Sequence, residues 1–150
     1  MTDLDEYWNE FLSKTNRSQS DRCSGDLFFD SKGNNQAQLT SLVLSGQKTA
    51  FFTPLATYTI NQEPIPVSGE LYIVVNNNGE PICVIETQSV EIVPFNEISW
   101  QMAKLEGEDN SFEEWKNKQI EIISDEGEIL GFDFSPDIRM VFQTFTAIYK

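Results

Sequence analysis

The sequence predicts an α+β domain whose strands gather into a sheet or small barrel, with helices on the outside. Segments with apolar residues at three- and four-residue spacing alternate with short runs of β-branched and aromatic residues. The tetrapeptide Asn-Asn-Asn-Gly at 76–79 separates two such runs and predicts a hairpin. With 150 residues, 39% of them hydrophobic and 12% aromatic, the chain has the size and composition of one domain with one core.

Two helices are predicted in the first third of the chain. Residues 3–14 are amphipathic, with acidic residues in the first turn. The apolar stripe of this helix consists of Leu4, Trp8, Phe11 and Leu12. Residues 36–45 form the second helix, which Gly46 ends in the left-handed conformation that glycine tolerates. The polar segment between them contains an apolar island at 27–29, which we expect to dock as a short strand or an anchored turn.

The middle of the chain is predicted to be extended. Residues 49–59 are rich in strand-forming types, and Pro54 places this strand at an edge or bends it there. The clearest strand is 71–75. Its return strand, 82–93, is long enough to bend or bulge midway, and Pro94 ends it.

The last third alternates helices and strands. Asn96 is predicted to cap a short helix through Ala103 or Lys104, and a capping box at Ser111 opens a helix over 111–123. The core side of that helix carries Phe112, Trp115, Gln119 and Ile123. Residues 127–134 are interpreted as a turn and a weak strand. Residues 140–149 carry bulky apolar groups on both faces, so we expect this strand to be central.

Composition excludes several classes of function. Histidine is absent, which rules out Ser-His-Asp and Cys-His nucleophile systems and histidine-ligated metals. Cys23 and Cys83 form no C-x-x-C motif and are expected to be reduced thiols. We therefore predict neither a metal nor a cofactor. A net charge of -14 argues against nonspecific binding of nucleic acid, but it leaves room for a small, locally positive pocket.

Membrane association and export are not indicated. The longest aliphatic and aromatic run, 71–75, is far shorter than a membrane span. The start, MTDLDEYW, lacks a basic region followed by an apolar block. We therefore expect a cytoplasmic protein without a membrane partner.

Lys48 stands out as the only charged residue between Gly33 and Gln62. It follows the predicted 36–45 helix, where the negative end of the helix dipole favours a cation. Two interpretations remain open from position alone, a lysine that stabilises the helix end and a functional cation.

A series of motifs that includes Lys48 resembles the longer bacterial branch of the ASCH domain family, over roughly residues 8–149. The motifs are, in order, S-G-Q-K-T-A, E-P-I-P-x-x-G-E-L-Y-I-V-V, G-E-P-I-C-V-I-E-T, V-x-I-V-P-F-N-E-I, A-K-L-E-G-E-D and S-F-E-E-W. The resemblance implies a PUA-like fold, a small β-barrel flanked by helices with a cleft between them. It also implies a role near RNA or modified nucleosides. We expect residues 1–150 to be a single ASCH domain, with an N-terminal helix at about 3–14 and a core at about 25–150.

The resemblance also suggests which residues do chemistry. Some ASCH proteins are amidohydrolases acting on N4-acetylcytidine, and some are reported to cleave RNA. Their catalytic lysine and glutamate correspond to Lys48 and Glu106, while their threonine corresponds to Phe51. Phenylalanine has no hydroxyl to serve as the nucleophile. Thr49 and Thr53 are nearby, but each would have to approach Lys48 from a different backbone position.

Two further departures favour a binder over a catalyst. Gln119 stands where this branch commonly has a histidine, and Gln143 where it commonly has a glutamate. Glutamine keeps the polar shape but exchanges no proton near working pH, as general acid-base catalysis requires.

Other candidate residues have a plain structural alternative. Glu106, Glu108 and Asp109 could form only a solvated acidic turn at a helix N-terminus. Trp115 is either a core residue or a stacking platform. Arg139 is either an exposed residue before a strand or a phosphate or base contact at the mouth of the cleft.

The predicted function is binding of RNA, a nucleotide or a modified nucleoside in a cleft around Lys48 and Glu106. The remaining predicted contacts are Thr49, Phe51, Glu108, Trp115, Gln119 and Arg139. The alternatives are an amidohydrolase or ribonuclease that uses Lys48 and Glu106 with Thr49 or Thr53, and a module that binds a protein or a metabolite.

Overall fold

The structure is a computed structural model, and it describes residues 3–29 and 36–150. The helices are α1 (Leu4–Lys14), α2 (Gln36–Ser45), α3 (Leu55–Asn61), α4 (Trp100–Ala103) and α5 (Phe112–Leu130). The strands are β1 (Gly25–Phe28), β2 (Ala50–Pro54), β3 (Leu71–Val75), β4 (Pro81–Pro94) and β5 (Arg139–Tyr149). Short 3₁₀ turns cover Phe95–Glu97 and Lys104–Glu106.

The strands form one curled sheet that closes about half of a barrel. The predicted α+β, PUA-like fold is confirmed, with a half-barrel where the sequence predicted a small barrel. The strand order is β1-β3-β4-β5-β2, so β5 is an interior strand between β4 and β2, as its two apolar faces predicted. β1 pairs with β3 in parallel, and the other pairs are antiparallel. β1 and β2 are the two edges of the sheet. Near these edges the rings of Phe29 and Phe51 lie 5.3 Å apart between centroids.

β3 and β4 form the predicted hairpin, and β4 also shows the predicted irregularity. The register of the β4–β5 pair shifts between Thr87 and Ser89. An extra residue on one strand bends that strand and increases its twist, which allows the sheet to curl.

Three buried clusters hold the helices against the sheet. α1 contributes Phe11 and Leu12 to a cluster with β3, as its apolar stripe predicted. α2 contributes Val43 to a second cluster, with Ile85 and Phe145. The third cluster joins α5 to the start of β5 and includes the following residues: Phe95, Ile98, Ala103, Trp115, Ile123 and Met140.

The prediction of an extended segment over 49–59 is wrong beyond Pro54. Pro54 has φ -57° and ψ 135°, ends β2 and serves as the N-cap of α3. The strand preference of Thr57 and Tyr58 is overridden by tertiary contacts, since Thr57 Oγ1 donates to Glu126 Oε2 of α5 at 2.9 Å.

The predicted cap at Asn96 is also wrong. Asn96 lies in a 3₁₀ turn, and Ser99 caps α4 by accepting a hydrogen bond from the backbone N–H of Met102 at 3.3 Å. The predicted cap at Ser111 is present, with Ser111 Oγ accepting from the N–H of Glu114 at 3.2 Å. The carboxylate of Glu114 accepts instead from the N–H of Asn110, at 3.4 Å.

The turn and weak strand predicted over 127–134 are wrong because α5 continues to Leu130. Gly127 lies inside the helix, where the chain folds back against it after Gly131. A Cβ at Gly127 would lie 2.1 Å from the carbonyl oxygen of Phe132. This glycine therefore permits a close backbone approach and does not form a turn.

No helix within residues 3–29 and 36–150 is both long and apolar enough to cross a membrane.

Both cysteines are free thiols, Cys23 half-buried and Cys83 buried.

Candidate functional site

Lys48 lies just beyond the C-terminus of α2, but its side chain turns inward. Gly46 adopts φ +81°, and the N–H of Lys48 donates to the carbonyl oxygen of Leu42 at 3.0 Å, which closes the helix end. The side chain of Lys48 is 2% exposed. A lysine that only stabilised the helix end would extend into water, so this burial requires compensation by nearby negative groups.

Carboxylates and a carbonyl provide that compensation. Lys48 Nζ lies 2.7 Å from Glu108 Oε2 and 3.2 Å from the carbonyl oxygen of Ala50. Glu106 Oε2 is 3.7 Å away, within ion-pair range but beyond hydrogen-bond distance. The structure thus brings together the lysine and glutamate suggested by the sequence, and it makes Glu108 the closer partner.

Glu106 ends the 3₁₀ turn after α4, and it is buried rather than part of a solvated turn. Its Oε1 accepts from Trp115 Nε1 at 2.6 Å and from Gln119 Nε2 at 3.0 Å. Burial raises the pKa of Glu106, the charge of Lys48 opposes this, and the charge of Glu108 adds to it. Both donors bind one oxygen, so Oε2 is the atom that remains for a ligand or a proton.

Backbone contacts hold the two segments of the site together. The N–H of Thr49 donates to the carbonyl oxygen of Leu105 at 2.8 Å, and Gln47 Nε2 donates to the carbonyl oxygen of Gly107 at 2.9 Å. Gly107 has φ +74°, and a Cβ there would lie 2.5 Å from the carbonyl oxygen of Gln47. The position of Glu106 relative to Lys48 therefore depends on a glycine at 107.

A second lysine, which the sequence analysis missed, completes the ionic cluster. Lys118 Nζ on α5 lies 3.5 Å from Glu108 Oε1 and 3.0 Å from Asp109 Oδ2. All these side chains are less than 15% exposed. With Lys48 and Glu106 included, carboxylates outnumber ammonium groups, so the cluster has no spare positive charge for an anion.

A cavity of about 350 Å³ opens onto this cluster. Its polar end is formed by Lys48, Glu106, Glu108 and Gln119. Its walls include the aromatic residues Phe29, Phe51, Phe52 and Tyr58. Lys48 Nζ also lies 5.2 Å from the centroid of the Phe29 ring. The volume is at the lower end of the roughly 300–1,000 Å³ typical of small-molecule sites.

The predicted contacts divide into two groups. Lys48, Phe51, Glu106, Glu108 and Gln119 line the cavity together. Thr53 also lines it, although an unbroken strand would have turned it away from Lys48. The two can share a cavity because Lys48 precedes β2, which begins at Ala50.

Three predicted contacts do not line the cavity. Thr49 is held to Leu105, since its Oγ1 lies 3.5 Å from the Leu105 carbonyl oxygen. Trp115 is fully buried and stacks on Phe95 at 5.7 Å, so it is a core residue that orients Glu106. Arg139 is exposed at the start of β5 beside α3, away from the cleft.

Some cavity residues on α3 and α5 were not predicted from the sequence. Tyr58 was assigned to a strand, which gave no indication of its position. Glu126 follows Ile123 by three positions, Ile122 by four and Gln119 by seven. This spacing places all four residues on one helical face. This periodicity identifies Glu126 only when the helix is extended past residue 123. Within residues 3–29 and 36–150, no group of acidic residues or cysteines is arranged to hold a metal ion.

Comparison with family models gives a match to the ASCH domain over residues 25–149. The chain belongs to the ASCH domain family. The crystal structure of an ASCH domain from Lactobacillus crispatus JV V101 is similar, with 27% identity, a TM-score of 0.82, and coverage of 96% of this chain and 92% of that one. A protein of known structure from Enterococcus faecalis V583 shows 26% identity, a TM-score of 0.82, and coverage of 97% and 88%. No curated protein matches this chain.

Gly107→Ala is expected to destabilise the domain more than Gly79→Ala. Both glycines have similar positive φ values, +74° and +78°, so alanine costs about 1–2 kcal/mol at either position. At 107 the new Cβ also meets the Gln47 carbonyl, whereas at 79 no atom lies within 4 Å. We expect an additional loss of roughly 1–3 kcal/mol for Gly107→Ala, measured by urea denaturation. Equal losses would show that the close contact is unimportant.

Glu106→Gln is expected to become more stabilising as pH rises. Because the folded-state pKa of Glu106 is raised, its contribution to stability is fully present below the unfolded value of about 4.3 and is lost as pH rises through the folded value. Glutamine does not ionise and escapes this loss. The free energy of unfolding of the variant minus that of wild type should therefore increase from about pH 4.3 upward and then level off. Urea titrations at several pH values measure this difference, with the exposed Glu128→Gln as the charge-matched control. A difference in the free energy of unfolding that stays constant or falls as pH rises would contradict this prediction.

Proposed function

We propose that this ASCH domain binds a single nucleobase in the cavity above Lys48 and Glu106, either in a free nucleoside or nucleotide or at an unpaired position of RNA. The observation that carries the proposal is the fixed pair of Lys48 Nζ and Glu106 Oε2 at one end of an aromatic cavity. A fixed donor beside a fixed acceptor matches the edge of a base, which presents an amine beside a ring acceptor.

The hydrogen-bonding capacity of the two groups fits such an edge. Lys48 has three N–H donors, and Glu108 and the Ala50 carbonyl use two of them. The third donor is available to a ring nitrogen or a carbonyl oxygen of a base. Glu106 Oε2 can accept from an exocyclic amine, because Trp115 and Gln119 both donate to Oε1. Cytosine and adenine offer this arrangement of amine and ring nitrogen.

The expected affinity is modest. Stacking of a base on an aromatic wall is worth on the order of 1–3 kcal/mol, and a hydrogen bond to a charged group contributes about 1.5–3 kcal/mol. One stacked base and two such hydrogen bonds sum to about 4–9 kcal/mol before the cost of association, so we expect a dissociation constant in the millimolar range.

Binding is favoured over hydrolysis by the residue at position 51. The ring of Phe51 packs against Phe29 and Phe145, at 5.3 and 6.1 Å, where catalytic relatives are expected to hold a threonine hydroxyl. Gln119, bonded to Glu106, cannot exchange a proton near neutral pH. We therefore assign Lys48 and Glu106 to recognition. A single domain over residues 1–150 and a cytoplasmic location are parts of the same proposal.

We expect cytidine to bind the wild-type protein and to bind the double variant Lys48→Gln/Glu108→Gln about tenfold more weakly, the effect of one lost charge-assisted hydrogen bond. Replacing both partners removes one positive and one negative charge, so the net charge of the cluster stays the same. Isotope-edited NMR titration gives both dissociation constants and the residues that respond. Lys14→Gln/Glu10→Gln is the control, because it removes an exposed ion pair of the same charges far from the cavity. Unchanged affinity in the Lys48 variant would place binding elsewhere.

The wild-type protein is expected to release no acetate from N4-acetylcytidine, because Phe51 provides no nucleophile. Phe51→Thr restores a hydroxyl at that position, and we expect slow hydrolysis to appear. Phe51→Val is the matched control, since valine has the shape of threonine without the hydroxyl. Acetate release followed by liquid chromatography distinguishes the three proteins. Turnover by wild type, or equal turnover by both variants, would contradict the assigned role of position 51.

A further inference from the structure

A second cavity adjoins the first and differs from it in the charged residues that line it. It measures about 390 Å³ and shares Leu27, Phe51, Thr53 and Tyr58 with the cavity above Lys48. The ionisable side chains that line it include the carboxylates of Asp26, Glu63 and Glu70. None of its described lining residues is a lysine or an arginine.

The same cavity has aromatic and amide groups as well as carboxylates. Tyr72 donates to Glu70 Oε1 at 3.0 Å, and the N–H of Val67 donates to the same oxygen at 2.7 Å, so this carboxylate is held in place. Burial, and then the hydrogen bond to Glu70, raises the pKa of Tyr72, which keeps its hydroxyl neutral. Gln143 also lines the cavity. It is 1% exposed, and its Nε2 donates a hydrogen bond to Thr87 Oγ1 at 2.8 Å. The side-chain carbonyl oxygen of Gln143 is the acceptor atom of this amide group.

Carboxylates combined with tyrosine rings are the composition of sites that recognise ammonium groups, through ion pairing and cation–π attraction. A phosphate in this cavity would meet three like charges and no described cation. The first cavity does not attract a phosphate either, since its lining lysine, Lys48, and the neighbouring Lys118 are both paired with carboxylates.

We propose that the second cavity receives the sugar end of a bound nucleoside and selects a positively charged amine there over a phosphate. This proposal rests on the proposed function, because it needs the base to lie in the first cavity. When the hydrogen-bonding edge of the base faces Lys48 and Glu106, its glycosidic bond points away from them. The two cavities share Leu27, Phe51, Thr53 and Tyr58 as lining residues, so these four side chains form the boundary that the sugar would cross. The ligand class is then a free nucleoside with an amine-bearing substituent, not a nucleotide within RNA.

Three cytidine derivatives that differ only at the 5′ position test this proposal: 5′-amino-5′-deoxycytidine, cytidine and cytidine 5′-monophosphate. We expect affinity to decrease in that order at an ionic strength of about 20 mM, where the screening length is roughly 20 Å. The amine should bind about tenfold more tightly than the phosphate, because exposed charge interactions each change affinity by a factor of about 1.4 to 5. Added salt should reduce this ratio.

The variant Asp26→Asn/Glu63→Gln removes two exposed carboxylates from the second cavity and should reduce the ratio to about threefold or less. Glu113→Gln/Glu128→Gln makes the same change of charge on the exposed face of α5 and should leave the ratio unaltered. This inference is wrong, while the proposed function stands, if the monophosphate binds as tightly as the amine. The same conclusion follows if the affinity ratio of amine to phosphate is unchanged in Asp26→Asn/Glu63→Gln. If none of the three compounds shows binding that depends on Lys48, the proposed function fails and this inference fails with it.

Discussion

The buried ammonium of Lys48 is the constraint on which the rest of the structure depends. An unpaired charge at this depth would cost several kcal/mol, so the fold must bring carboxylates to it. The nearer one, Glu108, lies 60 positions later in the chain. Meeting this requirement fixes the end of α2 against the segment between α4 and α5. Trp115 and Gln119 then orient Glu106 from the buried face of α5. The site and the packing of three helices are thus one arrangement.

This arrangement makes the proposed binding of a polar ligand compatible with a net charge of -14. Lys48 and Lys118 neutralise carboxylates and do not attract anions over a distance. Recognition must then come from the fixed direction of a few donors and acceptors and from the contact area of aromatic walls. Such a site depends on shape more than on charge, and its affinity for an uncharged base should respond weakly to salt.

Features governed by local chemistry could be predicted from the sequence. The stripe of α1, the glycine after α2, the hairpin at 76–79 and the interior β5 all follow from periodicity or turn residues. The predictions that were wrong involve contacts between segments that are distant in the sequence. Gly127 suggested a turn, yet it lies in a helix because the Phe132 carbonyl approaches it, and no local pattern reveals that contact. Within the site, motifs identified Lys48 and Glu106. Glu126 was missed because its helix was predicted to end at residue 123. Tyr58 was missed because its segment was predicted to be a strand.

The order of strands also governs when the cavity can form during folding. Its walls include residues of β1 and β2, the two edges of the sheet, and β2 pairs with β5 through Ala50 and Thr144, which are 94 positions apart in the sequence. Contacts of such large separation form slowly, because a long loop must close before they are made. The cavity is complete only when this pairing has formed, so we expect a ligand that it accepts to bind the native state. Bound ligand should then slow global unfolding and raise the melting temperature, with a stabilisation that grows as the logarithm of the ligand concentration above the dissociation constant, as mass action requires.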